Sequence, residues 1–531
     1  MRTDRDFVRT GASTAIGDAG MVATSHPAAT LAAVEILRDG GNAVDAALAA
    51  VAVQCVVDPL MTGIGGDCFA LYSAGGGLPI ALNGSGRAAA AAELDFFEQA
   101  GIDTIGDASV HAITVPGAVD AWCRLSADHG AMPLARVLEA AIAAAENGYR
   151  VTPRVAHDWA KNISRLDHDA AARACFSIDG RAPRAGERMA NPALGRSLRA
   201  IGELGRAAFY EGDIAAEIVE MLAARGGLLT RADFASHTAD YMAPISAEYR
   251  GYRLHECPPN GQGIAALLIL RILEGFDLSE AAVGEAGRVH LLAEATKAAY
   301  RLRDAMIGDA DTHPVDVDAL LSEATIAPIR AAIRPDRASS PLPPLDETAH
   351  KDTVYLTVVD RDRNAISLIN SIFWAFGSGH FAPQSGVVLQ NRGASFRLAA
   401  GHPNVIGPGK RPMHTIIPAM LTEGDHLVMS FGVMGGQYQA AGHAHFVSEV
   451  VDRGKALQAA SDAPRSFAFD GTLQLESTFD PAVADALTAL GHAVHVTDEP
   501  IGGCQAIAVD GETGALLGAT DHRKDGIALG F

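Results

Sequence analysis

The chain has 531 residues, 48% of them hydrophobic and 20% charged, which is enough apolar side chain for a large core and rules out wholesale disorder. Lysine and arginine number 42 against 63 aspartates and glutamates, and the net charge of −21 argues against nucleic acid or an anionic membrane as the main partner. Six cysteines form no CxxC pair and read as buried free thiols in a reducing compartment, not as a disulfide framework.

The N-terminus, MRTDRDFVRT, is charged and no apolar h-region follows it, so no signal peptide is expected. Residues 27–39, PAATLAAVEILRD, have helical spacing and end at Gly40–Gly41. Asn42 is placed to cap a second helix, Ala43 to Val57, whose small side chains predict close packing and burial. Its apolar stretch is broken by Gln54 and bounded by Asp45 and Asp58, too short to span a bilayer, so a soluble cytoplasmic protein is expected. MTGIGGD (61–67) ends the helix, and CFALYSA with PIALNGSG predicts a hairpin. Helical patterns return over 117–148, 186–226 and 287–306. From about 307 to 352 periodicity fades into polar, proline-rich sequence that reads as a flexible surface linker. Immediately after it, TVYLTVVDRDRNAISLINSIF predicts strand, turn and strand. GVVLQN, TIIPAMLTEGDHLVMSFGV and CQAIAVDGETGALLGATD predict further hairpin-like pairs, with a helix at 480–491 between them. A mostly helical first part and an antiparallel second part suit an α+β layered fold.

The switch at Asp352–Thr353 is the most informative feature. A Thr hydroxyl is a weak nucleophile in mid-chain, but at a freed N-terminus its own α-amine, with a pKa near 7.7–8.0, accepts the proton. The plain alternative is a Thr in a strand after a loop. Gly435–Gly436 follows a predicted strand and offers successive backbone N–H groups of the kind an oxyanion hole uses, or forms an ordinary turn; Gly65–Gly66 is comparable. Arg87, just past NGSG, is either a bidentate carboxylate partner or a surface residue. His111, His414, His443 and His445 invite a metal or triad reading, but no HExxH occurs, and core or supporting roles are expected, with no metal or cofactor.

In order along the chain, GMVATSHPAAT (20–30), GGNAVDAALAA (40–50), TGIGGDCFALY (62–72), DTVYLTVVDRDRNAIS, FGSG (376–379), SGVVLQNR, RPMHTIIPAM and GVMGGQYQ resemble segments of the γ-glutamyltranspeptidase (glutathione hydrolase) family of N-terminal nucleophile hydrolases. The resemblance implies a four-layer αββα sandwich. It implies a precursor that cuts itself before Thr353 into segments 1–352 and 353–531, which form one interlocked unit, the linker 307–352 swinging away from the cleft. It casts Thr353 as nucleophile, Gly435 and Gly436 as oxyanion donors, Ser371 as the hydroxyl that orients the nucleophile's amine, and Thr357 as a nearby small hydroxyl. Water, or an acceptor amine, then takes the acyl group. A homodimer of the processed pair is a further expectation.

Departures from the family pattern bear on the substrate. Ser85 stands where the family's carboxylate-binding Arg is expected, with Arg87 two residues on. His414–Thr415 replaces a Ser–Ser pair, Ser395 replaces an Asp, Arg392 beside Asn391 replaces a Glu or Gln, and Phe373 replaces an Asn. A negative group suited to an ammonium is gone and an Arg has entered, which predicts a pocket for an anionic acyl group and not for a zwitterionic glutamyl head. The pattern looks like a cytosolic branch of the family that includes glutathione hydrolase-like proteins and an amidohydrolase of oxamate. The alternatives are a transferase or hydrolase of glutathione and other γ-glutamyl amides, and an uncleaved homologue that binds a small molecule without turning it over.

Overall fold

The computed structural model describes residues 11–343 and 353–531. Two seven-stranded sheets organise the chain. One runs Ile527–Gly530, Gly20–Thr24, Val354–Asp360, Ala365–Ser371, Asp67–Ser73, Ile80–Gly84, Asp240–Met242. The other runs Ala15–Gly17, Leu516–Ala519, Gly503–Val509, His426–Met434, Ala419–Glu423, Tyr252–Glu256, Ile245–Tyr249. Every named pairing in both is antiparallel. Strands from before and after residue 353 are neighbours in each sheet.

Alternation of side chains sorts the core into layers. In Val354–Asp360, Leu356 and Val358 pack with the helices Pro27–Arg38 and Ala43–Val57, while Tyr355 and Val359 pack between the sheets with Met420, Met434 and Ile507. The other sheet's outer face is covered by Gly263–Leu273, Glu280–Met306 and Gln439–Val451. The result is the four-layer αββα sandwich of the N-terminal nucleophile hydrolases. Helix Ala43–Val57 starts where expected, with Asn42 and Asp45 forming a reciprocal capping box, and all fifteen of its residues are buried.

Polar pins set how the sheets face each other. Thr357 Oγ1 lies 2.7 Å from Ser430 Oγ, and Tyr355 Oη lies 2.7 Å from Ser367 Oγ, which donates to the Phe431 carbonyl. Gly432 lies against the Tyr355 ring so closely that a Cβ there would come within 2.3 Å of it.

Two expectations differ. The stretch read as a linker holds helices Val317–Leu321 and Glu323–Ala332, with Leu320 and Ile326 buried against the second sheet's helical layer. Each is too short, and Pro328 interrupts the pattern too early, for periodicity to register. Beyond them, Lys297 Nζ donates to the Ser339 carbonyl and Glu294 accepts from the Ser339 N–H. The end of the proposed linker, including Asp352, lies outside the described residues. Secondly, within a second part read as antiparallel, Thr472–Glu476 pairs with Val494–Thr497 in parallel, and the helix expected at 480–491, here Pro481–Ala489, provides the crossover. Among the described residues, no helix is long and apolar enough to cross a membrane.

Gly432→Val should destabilise the protein by about 3 kcal/mol or more, since overpacking meets a ring locked between two sheets. Urea unfolding would show it, and an unchanged midpoint would mean that the sheets slide to make room.

Candidate active site

Thr353 immediately precedes a central strand and is 1% exposed. Its Oγ1 lies 3.3 Å from Ser371 Oγ at the end of the neighbouring strand, and Ser371 Oγ accepts the Phe373 N–H at 2.9 Å. Thr357 lies over Ser430 and Tyr355 over Gly432; Thr353 stands two residues before Tyr355 on its strand, and Met434 and the Gly435–Gly436 turn follow Gly432 on the facing one. Gly435 and Gly436 have φ of 124° and 57°, a backbone region that suits glycine and aims successive peptide groups away from the strand. Gln262 Nε2 holds the turn by donating to the carbonyls of Gly436 and Thr415.

Beside the nucleophile candidate lies a fully buried charge network. Asp67, paired in register with Ser371, accepts at Oδ1 from the N–H groups of Gly86 and Gly117 and from Gln390 Nε2, at 2.9–3.1 Å. Its Oδ2 accepts from His414 Nε2 at 3.0 Å. The Ile416 N–H donates to His414 Nδ1, so the proton of the neutral ring sits on Nε2. Burial first, and the Arg392 charge second, push His414 down to about 3. Burial works to raise Asp67, but the His414 hydrogen bond, the Arg392 charge and Gln390 outweigh it and hold the carboxyl below its ordinary value. Arg392 is buried, donates to Thr415 Oγ1 at 2.9 Å, and lies with its guanidinium carbon 3.8 Å from the centre of the Phe373 ring.

The structure therefore gathers Thr353, Ser371, Phe373, Arg392, His414 and Thr415 into one network. His414 has both ring nitrogens engaged by protein groups and backs the pocket. Arg87 is turned elsewhere, onto Asp311 at 3.0 Å, Asp309 at 3.6 Å and the Gly409 carbonyl. Ser85 Oγ accepts from Asn260 Nδ2, and Ser395 Oγ donates to the Met413 carbonyl. Asn391 braces the turn after Ser371, accepting the Trp374 N–H and donating to the Asp107 carbonyl. His443 is a core group between Glu256 and the Val433 N–H.

Sequence reasoning passed over Asp67, Gln262, Gln390 and Arg303, which bonds both Gln262 and Gln437 at 2.7 Å. Asp67 and Gln390 had a signal, as members of the quoted TGIGGDCFALY and SGVVLQNR; Gln262 had none. Among the described residues, one cluster has metal-ligand chemistry, His290, Glu294 and His492, away from Thr353. Its histidines bond each other at 2.8 Å, and its carboxylate is engaged by Lys297 and Ser339.

A Thr heading a central strand of stacked antiparallel sheets, with a hydroxyl partner and a paired-glycine turn across the layer, defines an N-terminal nucleophile hydrolase. The chain belongs to the γ-glutamyltranspeptidase family, whose pattern matches residues 29–531. It is 37% identical to the glutathione hydrolase-like YwrD proenzyme of Bacillus subtilis, over 97% of this chain and 99% of the relative. It is 37% identical to the oxamate amidohydrolase proenzyme of Klebsiella pneumoniae, over 96% and 98%. The solved cephalosporin acylase of Bacillus halodurans superposes with a TM-score of 0.93 at 38% identity, covering 99% of this chain and 98% of that one. The chain is accordingly an amidohydrolase or acyltransferase that works through an acyl-enzyme on a small amide.

Neutral buried histidines give stability a definite pH sign. His26, His237, His255 and His380 are held near 4, chiefly by burial, and His414 near 3. The unfolded chain takes up these protons from about pH 6.5 downward and the folded one does not, so stability should fall as pH drops from 6.5 towards 4. Thermal midpoints against pH would show the slope, and His414→Gln should flatten it at the acid end.

Proposed function

We propose that this chain is an autoprocessing N-terminal threonine amidohydrolase whose substrate is a small, carboxylate-bearing amide of the oxamate type. The observation that carries this reading is the buried Thr353–Ser371 hydroxyl contact at the head of a central strand. In the precursor, Thr353 Oγ attacks the carbonyl carbon of residue 352, the peptide C–N bond breaks, and an ester forms. Water hydrolyses the ester and leaves the α-amine of Thr353 free. The products are 352 residues and the remaining 179 of the 531.

The freed amine then serves as general base for Thr353 Oγ and returns the proton to the leaving nitrogen. Ser371 orients that amine, and the N–H groups of Gly435 and Gly436 receive the developing oxyanion. Arg392 supplies the positive charge for the acyl carboxylate. Phe373 and Ser395 stand where the resemblance gives an Asn and the Asp that reads a glutamyl ammonium, which favours an oxamate-like amide over glutathione. We assign the acyl group to water as usual acceptor and to an amine as the alternative. The six free thiols support a cytoplasmic setting, and a homodimer of the processed pair belongs to the same reading.

Purified protein should run as two bands with Thr353 at the new N-terminus, while Thr353→Ala should stay in one piece and turn nothing over. A wild-type chain that stays intact on long incubation would favour the non-enzymatic homologue. Arg392→Lys keeps the charge but loses the planar fork, and should lower kcat/KM for oxamate-like amides about 10- to 100-fold, mainly through KM. Steady-state kinetics would decide, and better turnover of a γ-glutamyl anilide than of the oxalyl anilide by the wild type would reverse the substrate assignment.

A further inference from the structure

We propose that the cavity beside Phe373 and Trp374 is the subsite for the amine half of the substrate, and that this half is a bulky apolar or aryl amine. The proposal rests on the catalytic reading above and extends it to the other side of the scissile bond. The cavity measures about 590 Å³ and sets apolar walls, Trp374, Phe396 and Leu398 among them, beside the charged Asp103, Asp107 and Arg397. That is the size range of pockets that enclose drug-sized ligands. A primary amide such as oxamate releases only ammonia and would use none of it.

Position assigns the cavity to the leaving group. Phe373 borders both the cavity and the charge network. Its N–H bonds Ser371 Oγ, which touches Thr353 Oγ, so the cavity wall is two hydrogen bonds from the nucleophile. Its ring carries Arg392 at 3.8 Å, on fully buried ground. The acyl carboxylate belongs with Arg392 on the inner side of Phe373. The open space beyond Phe373 and Trp374 then takes the group joined through the scissile nitrogen. When the C–N bond breaks, that nitrogen receives the proton held by the Thr353 amine, and the free amine lies in the cavity with a path to solvent.

The wall is built and braced. The Arg165 guanidinium lies 5.1 Å from the centre of the Trp374 ring. It donates to the Ala375 and Gly377 carbonyls and to Asp107, which also lines the cavity. Asn391 bonds the same two segments, through the Trp374 N–H and the Asp107 carbonyl. Phe373 itself is held at a φ of 79°, a conformation that costs a non-glycine residue energy and recurs at ligand clamps. A rigid aromatic face of this kind binds a flat or bulky apolar group with little ordering cost.

The test uses two amides with one carboxylate-bearing acyl group, an N-methyl amide and an N-cyclohexylmethyl amide, whose leaving amines are of like basicity. The processed enzyme should favour the bulky amide by about tenfold or more in kcat/KM, mainly through KM, as burial of one ring implies. Trp374→Ala and Leu398→Asp should collapse that ratio, with circular dichroism confirming their fold. Equal kcat/KM for the two amides, or a ratio untouched in both variants, overturns the proposal. Calorimetry with cyclohexylmethylamine gives a readout that needs no turnover. Binding to the processed wild type that is lost in Leu398→Asp supports the subsite even if neither amide is cleaved, a result that would count against the acyl-group reading alone. No binding to the wild type, with neither amide cleaved, overturns the subsite.

Discussion

The face-to-face register of the two sheets is the constraint from which the site follows. A hydroxyl pair, Thr357 with Ser430, and an aromatic ring seated against Gly432 allow one alignment of the central strands. A slip by a single residue would turn every inward side chain of a strand outward. It would bury the hydroxyls unpaired and drive the Tyr355 ring into a neighbour with a Cβ. Thr353, two steps beyond Tyr355, and the glycine turn after Met434 continue the two strands aligned there. Nothing local to Thr353 sets that alignment; it is a consequence of packing two and four residues away.

The second determinant is charge held in a dry place. Asp67 and Arg392 are buried, and removing two ions from water costs several kcal/mol each unless their partners are complete. The structure meets that cost with backbone N–H groups, an amide and a neutral imidazole around Asp67, and a hydroxyl and an aromatic face around Arg392. Such networks strengthen electrostatics at the reacting centre because the dielectric is low. His414 spends both ring nitrogens in this network, one on Asp67 and the other on the Ile416 N–H.

Much of the fold was legible because its signals are local. The capping box at Asn42, the DRDRN turn before Ala365 and the hairpin ending at Met434 are written in contiguous residues. The helices Val317–Leu321 and Glu323–Ala332 were not legible, because each rests on a single buried side chain, Leu320 or Ile326, contributed by tertiary contact. The same divide runs through the site. Thr353 and the glycine pair stand at element boundaries that a sequence pattern marks. Arg87 does not reach the network because two aspartates more than 200 positions away claim it, which no spacing rule reveals. Asn391 proved to be a brace for the same reason: its partners are a backbone carbonyl from residue 107 and a backbone N–H seventeen residues back.

The interleaving of strands has a consequence for lifetime. Val354–Asp360 is flanked by Gly20–Thr24, from far upstream, and by Ala365–Ser371, so neither portion of the chain owns a complete sheet. While the backbone is continuous, these neighbours find each other at the high effective concentration of a single molecule. Under the proposed opening before Thr353, the same pairing becomes a meeting of two diffusing polymers, each with unsatisfied strand edges exposed to other chains. The mature protein would then persist by the slowness of its unfolding and not by its ability to refold. On that reading its assembly is a one-time event, and the bond before Thr353 acts as a ratchet.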